Sequence, residues 1–216
     1  VMARRALLVG AGGMGRNWAK TLNARPDVEI IGWCDVDLAR AEQGIHELGL
    51  GALPGSDAAK MVAEMLPDFV VDVTVPEAHA AVVIAALDAG IPVLGEKPMA
   101  ESMESARKMV AASEAGEALY MVSQSRRFHP GIRAYRELIE GSGLGILNAD
   151  FYIGAHFGGF RDEMPYPLLL DMAIHTFDAA RYLSGLDPVS VYAEAFNPSW
   201  SWYAGDACSN ALFEFK

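Results

Sequence analysis

Ala6-Leu7-Leu8-Val9-Gly10-Ala11-Gly12-Gly13-Met14-Gly15 joins an apolar run to a glycine-rich loop. Its first four residues are apolar without a break, as suits a strand buried on both faces of a parallel sheet. Glycines at 10, 12 and 15 give the spacing G-x-G-x-x-G, and Met14, Trp18 and Leu22 recur at helical spacing, so the loop opens a helix. Between a buried strand and a helix each glycine has its own task. Gly10 permits the tight turn, Gly12 lets a pyrophosphate approach the backbone, and Gly15 lets the helix pack on the strand. With Gly13 and Met14 they form a candidate dinucleotide cradle, in which N–H groups at a helix start hold the phosphates.

Downstream the pattern continues. Val28 to Cys34 reads as a second strand and ends at Asp35, twenty positions beyond Gly15. A carboxylate there accepts hydrogen bonds from both ribose hydroxyls and repels a 2′-phosphate, so NAD is expected in preference to NADP. The alternative, that Asp35 merely caps the next helix, is weakened by Asp37, which is better placed to do so. Asp57 to Leu66 reads as an amphipathic helix through Ala58, Met61, Val62, Met65 and Leu66, and Phe69 to Val75 as a buried strand closed by Pro76. A helix over Glu77 to Ala89 ends at Gly90; a strand at Ile91 to Leu94, a helix at Ser102 to Ala115 and a strand at Ala118 to Ser123 follow. The alternation predicts an α/β domain, a doubly wound parallel sheet, over residues 1–124.

Residues 125–216 read differently. Pro130 to Glu140 is helical with Ile132, Tyr135, Leu138 and Ile139 as its apolar stripe, and Leu168 to Leu183 is a second helix. Strands are expected at Ile146 to Ile153, Val189 to Phe196 and Ala211 to Phe215. Strands so far apart indicate an α+β domain with an open sheet. The sequence stops within the last of them, so that sheet reads as incomplete.

With 216 residues, half of them hydrophobic, the chain can build a packed core. A formal net charge of −11 argues against nucleic acid and anionic membrane as partners. No apolar run approaches the ~20 residues that span a bilayer, and the N-terminus is a poor signal peptide. Cys34 and Cys208 read as buried free thiols in a reducing cytoplasm. The five histidines are dispersed and no Cys-x-x-Cys occurs, so no metal site is expected.

Two further stretches bear on chemistry. Val93-Leu94-Gly95-Glu96-Lys97-Pro98 is a short strand ending in a lysine, which delivers a cationic donor to whatever lies beside the cofactor; Pro98 holds Lys97 extended. Asp171 and His175 are four apart on a predicted helix and so project from one face.

Gly10, Gly12 and Gly15, Asp35, Thr74-Val75-Pro76 to His79, Glu96-Lys97-Pro98, Arg127-Phe128 and Asp171-x-x-x-His175 together resemble the Gfo/Idh/MocA family of NAD(P)-dependent oxidoreductases. The resemblance implies an N-terminal Rossmann domain followed by a domain on a large, mostly antiparallel sheet often used for homo-oligomer formation. It implies hydride transfer between NAD and a hydroxyl or carbonyl carbon of a sugar, cyclitol or related polyol. His175 would be the base for the hydroxyl proton, Asp171 a relay or orienting group, and Lys97 a donor polarising the oxygen. A lysine whose pKa burial lowers serves equally as the base, and the residues do not rank the two. Thr74, Pro76, His79 and Glu96 would line the cofactor, although His79 also reads as a capping or solvent-facing residue.

The chain departs from the family pattern at Tyr166-Pro167-Leu168-Leu169-Leu170, where a glycine-rich run is usual, and at Trp18, where histidine is frequent and core packing is the simplest account. It departs also in length, since family members normally continue to complete the sheet, which implies a fragment, a short form, or missing strands replaced by a partner's. Arg127, His156 and Arg161 read as substrate contacts or surface residues alike. Competing readings are a redox-neutral, glycosidase-like enzyme using NAD transiently, a non-catalytic NAD-binding sensor, and a methyltransferase. Intact Lys97, Asp171 and His175 speak against the sensor, and Glu-Lys-Pro has no role in a methyltransferase.

Overall fold

The computed structural model describes residues 2–154, 156 and 158–216, except for the side chain of Phe160. It divides into two compact units, Val1–Ser123 and Gln124–Lys216. The first runs β1 (Arg4–Val9), α1 (Gly13–Asn23), β2 (Val28–Cys34), α2 (Leu38–Leu48), β3 (Leu53–Gly55), α3 (Ala58–Met65), β4 (Phe69–Asp72), α4 (Pro76–Asp88), β5 (Val93–Gly95), α5 (Met103–Gly116) and β6 (Tyr120–Val122).

The strands form one 6-stranded sheet in the order β3-β2-β1-β4-β5-β6, every pair parallel. This is a Rossmann fold, with its switch point between β1 and β4. Successive strand residues point to opposite faces, and both faces are covered. Leu7, Val9, Val70 and Val93 pack with Val62, Val83, Leu87 and Met109 from α3, α4 and α5. Leu8, Ile30, Trp33 and Val71 pack with Ala19, Leu22 and Ala41 from α1 and α2. Burying a Leu-sized side chain contributes ~1.5–3 kcal/mol. The two clusters therefore hold the sheet and fix where its strand ends lie.

Several boundaries differ from expectation. Strand β3 is short and includes Pro54, which a strand tolerates at a sheet edge, and it carries no alternating pattern to announce it. The strand expected to run to Val75 stops at Asp72, whose carboxylate gathers the next turn, and Pro76 starts α4 rather than closing the strand. On α1 the buried positions are Gly15, Ala19 and Leu22, while Met14 is half exposed. Leu66, placed on the α3 stripe from sequence, is an exposed left-handed C-cap at φ 45°.

The second unit holds a 3₁₀ turn at Ser125–Phe128, α6 (Pro130–Ile139), a 3₁₀ turn at Gly159–Glu163, a π turn at Leu168–Ala173, α7 (Ile174–Ser184), β7 (Pro188–Phe196) and β8 (Cys208–Phe215). Strands β7 and β8 form a 2-stranded antiparallel sheet. The strand expected at 146–153 is irregular chain instead: β propensity is realised only beside a pairing strand, and none of the described strands lies against it. The α6 stripe is not a core face either, since Tyr135 and Leu138 are exposed. The single helix expected at 168–183 is broken into the π turn and α7. Among the described residues no helix is long and apolar enough to cross a membrane.

Candidate active site

Because the sheet is parallel, one edge collects the carboxyl ends of every strand. Gly10 follows β1, Asp35 follows β2, Thr74 lies just past β4, and Glu96 and Lys97 follow β5; these four strands are adjacent.

The glycine loop fits a dinucleotide on its own geometry. Gly10 has φ +103°, and a Cβ there would lie 2.5 Å from the Val73 carbonyl oxygen; a Cβ on Gly15 would lie 2.0 Å from the Gly10 carbonyl oxygen. Both positions require glycine. At Gly12 and Gly13 a Cβ would meet nothing within 4 Å, so the middle of the loop faces open space. Helix α1 starts there without an acidic residue in its first turn, leaving its positive end unopposed.

Asp35 is half-buried and joined to that loop. Its Oδ2 accepts from the Ala11 N–H at 2.6 Å and its Oδ1 from the Asp37 N–H at 2.9 Å. A carboxylate offers about four acceptor sites, so capacity for a diol remains. Asp37 holds the N-cap position of α2 without a side-chain cap bond and pairs with Arg40 at 3.2 Å.

Asp72, unnoticed in the sequence, is fully buried. Its Oδ1 accepts from the Thr74 N–H (3.1 Å) and hydroxyl (2.7 Å), and its Oδ2 lies 2.7 Å from His79 Nδ1. His79 is 1% exposed, so it faces neither solvent nor a helix cap; its Nε2 is buried with no hydrogen-bond partner among the described residues. The available signal was an acid inside the apolar run Phe69 to Val75, which has to find a partner. Burial, with the Asp72 charge second, pushes the Tyr120 phenol well above its ordinary pKa.

Glu96 is 9% exposed and bridges two elements. Its Oε1 accepts from the Trp18 indole N–H at 2.8 Å, its Oε2 from the Lys97 backbone N–H at 3.0 Å, and its own N–H donates to the Asp72 carbonyl at 2.9 Å. Lys97 is half-buried, and the Lys97–Pro98 peptide is cis. Trp18 is thus a ligand of Glu96 as well as a packing residue.

In the second unit the buried polar residues are Asp171, His175 and Asp178. Asp171 lies in the π turn, and Arg161 Nε donates to its Oδ2 at 2.6 Å. His175 is the second residue of α7, two positions past the end of the turn, so the interval between the two is not a plain α-helical one. Arg127 Nε donates to Asp178 Oδ2 at 2.9 Å, and this carboxylate holds the guanidinium above its usual pKa. Asp171 and Arg161 line a cavity of about 370 Å³ walled by Tyr152, Trp200, Trp202 and Tyr203. His175 lines another, about 650 Å³, with Phe128, Ile132 and Tyr135. His156 pairs with Asp162 at 2.6 Å. Both arginines considered as substrate contacts thus hold buried carboxylates, a role that spacing alone does not reveal. Among the described residues no group of three or more His, Cys, Asp or Glu is placed to hold a metal ion.

Residues 4–124 match the family model of the Gfo/Idh/MocA proteins, described as "Oxidoreductase family, NAD-binding Rossmann fold". The chain is 31% identical over 226 residues to the "Uncharacterized protein y4oX" of Sinorhizobium fredii, covering 99% of this chain and 63% of that protein. It is 32% identical over 207 residues to "Inositol 2-dehydrogenase 1" of Paenarthrobacter aurescens, covering 93% of this chain and 60% of that one. It therefore spans less than two thirds of the length of either relative. A solved oxidoreductase from Agrobacterium radiobacter, in complex with NAD+, L-tartaric acid and magnesium, has the same fold at TM-score 0.85 and 24% identity, covering 98% of this chain and 63% of that one. The motifs from the glycine loop to Glu96-Lys97-Pro98, the sheet they ride on and these matches agree: the chain belongs to the Gfo/Idh/MocA family of oxidoreductases, with an NAD-binding Rossmann fold.

Proposed function

We propose that the protein is an NAD-dependent dehydrogenase acting on a hydroxyl-bearing carbon of a sugar, cyclitol or related polyol. The observation that carries this reading is the carboxyl edge of β2, β1, β4 and β5, where an open glycine cradle, an acid and a lysine stand on adjacent strand ends. The relative named an inositol 2-dehydrogenase supports the substrate class.

The backbone N–H groups of Gly12 to Gly15 would hold the pyrophosphate, and Asp35 the adenosine ribose hydroxyls, its charge opposing a 2′-phosphate. Thr74, Pro76, His79 and Glu96 would shape the rest of that edge. Bound NAD would supply the hydride acceptor. Oxidation then needs the C–H electron pair to leave with its hydrogen while the O–H proton passes to a base on the protein. His175 is assigned that proton, with Asp171 orienting it, and Lys97 polarises the oxygen; a neutral Lys97 taking the proton is the variant of the same scheme. The Arg161–Asp171 and Arg127–Asp178 pairs would hold the π turn and α7 in place for this work.

Copies would assemble through the β7–β8 sheet, whose Val189, Val191, Tyr192 and Leu212 are exposed. The protein is assigned to the cytoplasm, where free thiols such as Cys34 and Cys208 persist.

Calorimetric titration tests the cofactor assignment. NAD is expected to bind at least about tenfold more tightly than NADP, and Asp35→Ala to erase the difference. Equal binding of both by the unaltered protein, or an unchanged preference in Asp35→Ala, overturns it.

A further inference from the structure

The lysine assigned to chemistry stands on a strand end whose neighbour is tied to the phosphate-loop helix. Glu96 is a nearly buried carboxylate, and the oxygens of such a group have to be met by donors. Among the described residues two donors do so, the indole N–H of Trp18 at 2.8 Å, from α1, and the backbone N–H of Lys97 at 3.0 Å. The Glu96 main chain is held in turn by the Asp72 carbonyl at 2.9 Å. One carboxylate therefore joins the first turns of the helix that opens at the glycine cradle to the peptide that presents Lys97.

We infer that Trp18 is a positioning residue for Lys97, acting through Glu96. The inference rests on the proposed role of Lys97 and adds the element that sets its backbone. The ring matters here as a directed donor, not only as bulk. The five-membered ring of an imidazole overlays that of an indole, with its Nε2 where the indole carries Nε1. A histidine at position 18 thus keeps the donor, whereas phenylalanine keeps the ring and loses it.

Trp18→Phe, Trp18→His and Glu96→Gln in the full chain form the test, with three readouts: turnover with a polyol substrate, NAD affinity by calorimetry, and the acetylation rate of the Lys97 amine in cofactor-free protein by mass spectrometry. Trp18→Phe is expected to lower kcat about tenfold, the loss of one hydrogen bond to a charged group. It is expected to leave NAD affinity within about twofold, since the cradle is untouched, and to raise Lys97 acetylation severalfold as the strand end loosens. Glu96→Gln, which turns one acceptor into a donor facing donors, should likewise lower kcat and raise Lys97 acetylation, and Trp18→His should restore both kcat and labelling. Unchanged kcat and labelling in Trp18→Phe overturn the inference. So does an equal loss in the Phe and His variants, which makes the position one of volume alone. If Lys97→Ala leaves turnover intact, the role assigned to Lys97 fails, while the acetylation rates still decide whether Trp18 sets its backbone.

Discussion

In the first unit two apolar clusters flank a sheet, and its buried polar residues, Asp72, His79 and Glu96, sit at or just beyond the carboxyl edge. In the second, Met164 and Pro167 are buried alongside Asp171, His175 and Asp178, and the helix and turns are joined by Arg161–Asp171, Arg127–Asp178 and the stacking of Arg136 on Tyr182 at 4.4 Å. The difference teaches that one unit rests on the removal of apolar surface from water and the other far more on paired charge. Salt, pH and single substitutions should therefore act on the two units in different ways.

The largest effect expected concerns what the polar burial in the second unit is for. If it serves chemistry, His175→Gln lowers turnover by about a thousandfold, the scale of acid–base catalysis, while the melting temperature changes little. A large fall in melting temperature with turnover per folded molecule intact would make His175 structural and break the comparison.

Next in size are two stability changes that sharpen it. Leu87 is fully buried in the first unit, and Leu87→Ala should cost about 3 kcal/mol from lost burial and the cavity left behind. Arg127→Met leaves the Asp178 carboxylate buried without its partner and should also cost about 3 kcal/mol. Their salt responses separate them. In urea unfolding at low and at ~1 M salt, the Arg127→Met penalty should shrink as charges are screened, whereas the Leu87→Ala penalty should hold. The same salt response for both would contradict the division.

The smallest effect is one of pH. Burial, with the Asp35 and Asp57 charges behind it, pushes the Cys34 thiol up from 9.0 to about 11. A folded-state pKa raised above the unfolded one gives stability that is complete below about pH 9 and is lost as pH climbs through about 11. Unfolding measured across that window should show the decline, and Cys34→Ala should flatten it. At pH 8 iodoacetamide should modify half-buried Cys208 before Cys34.

How much of this was legible in the sequence follows the same division. A continuous apolar strand, three glycines and an acid at the next strand end are local signals, and the parallel sheet, its helices and the cradle could be read from them. Strand β3 could not, because an edge strand with a proline has neither pattern nor burial to show. In the second unit, 146–153 has strand-like residues but no strand beside it, and the stripe on α6 has apolar residues but no covered face. Pairings between distant side chains leave no periodic trace. Trp18 with Glu96, Asp72 with His79, and each arginine with its carboxylate emerge only when the fold brings them together.

The central claim is that the sheet edge holding the glycine cradle presents Lys97 to an NAD-linked oxidation. Its most direct test is the appearance of reduced-cofactor absorbance when NAD and a panel of cyclitols and sugars are supplied to the unaltered protein and to Lys97→Ala, with NAD affinity measured for both. Both are expected to bind NAD, and only the unaltered protein to reduce it. Reduction at the same rate by Lys97→Ala, or turnover of substrate by the unaltered protein with no reduced cofactor formed, would contradict that claim.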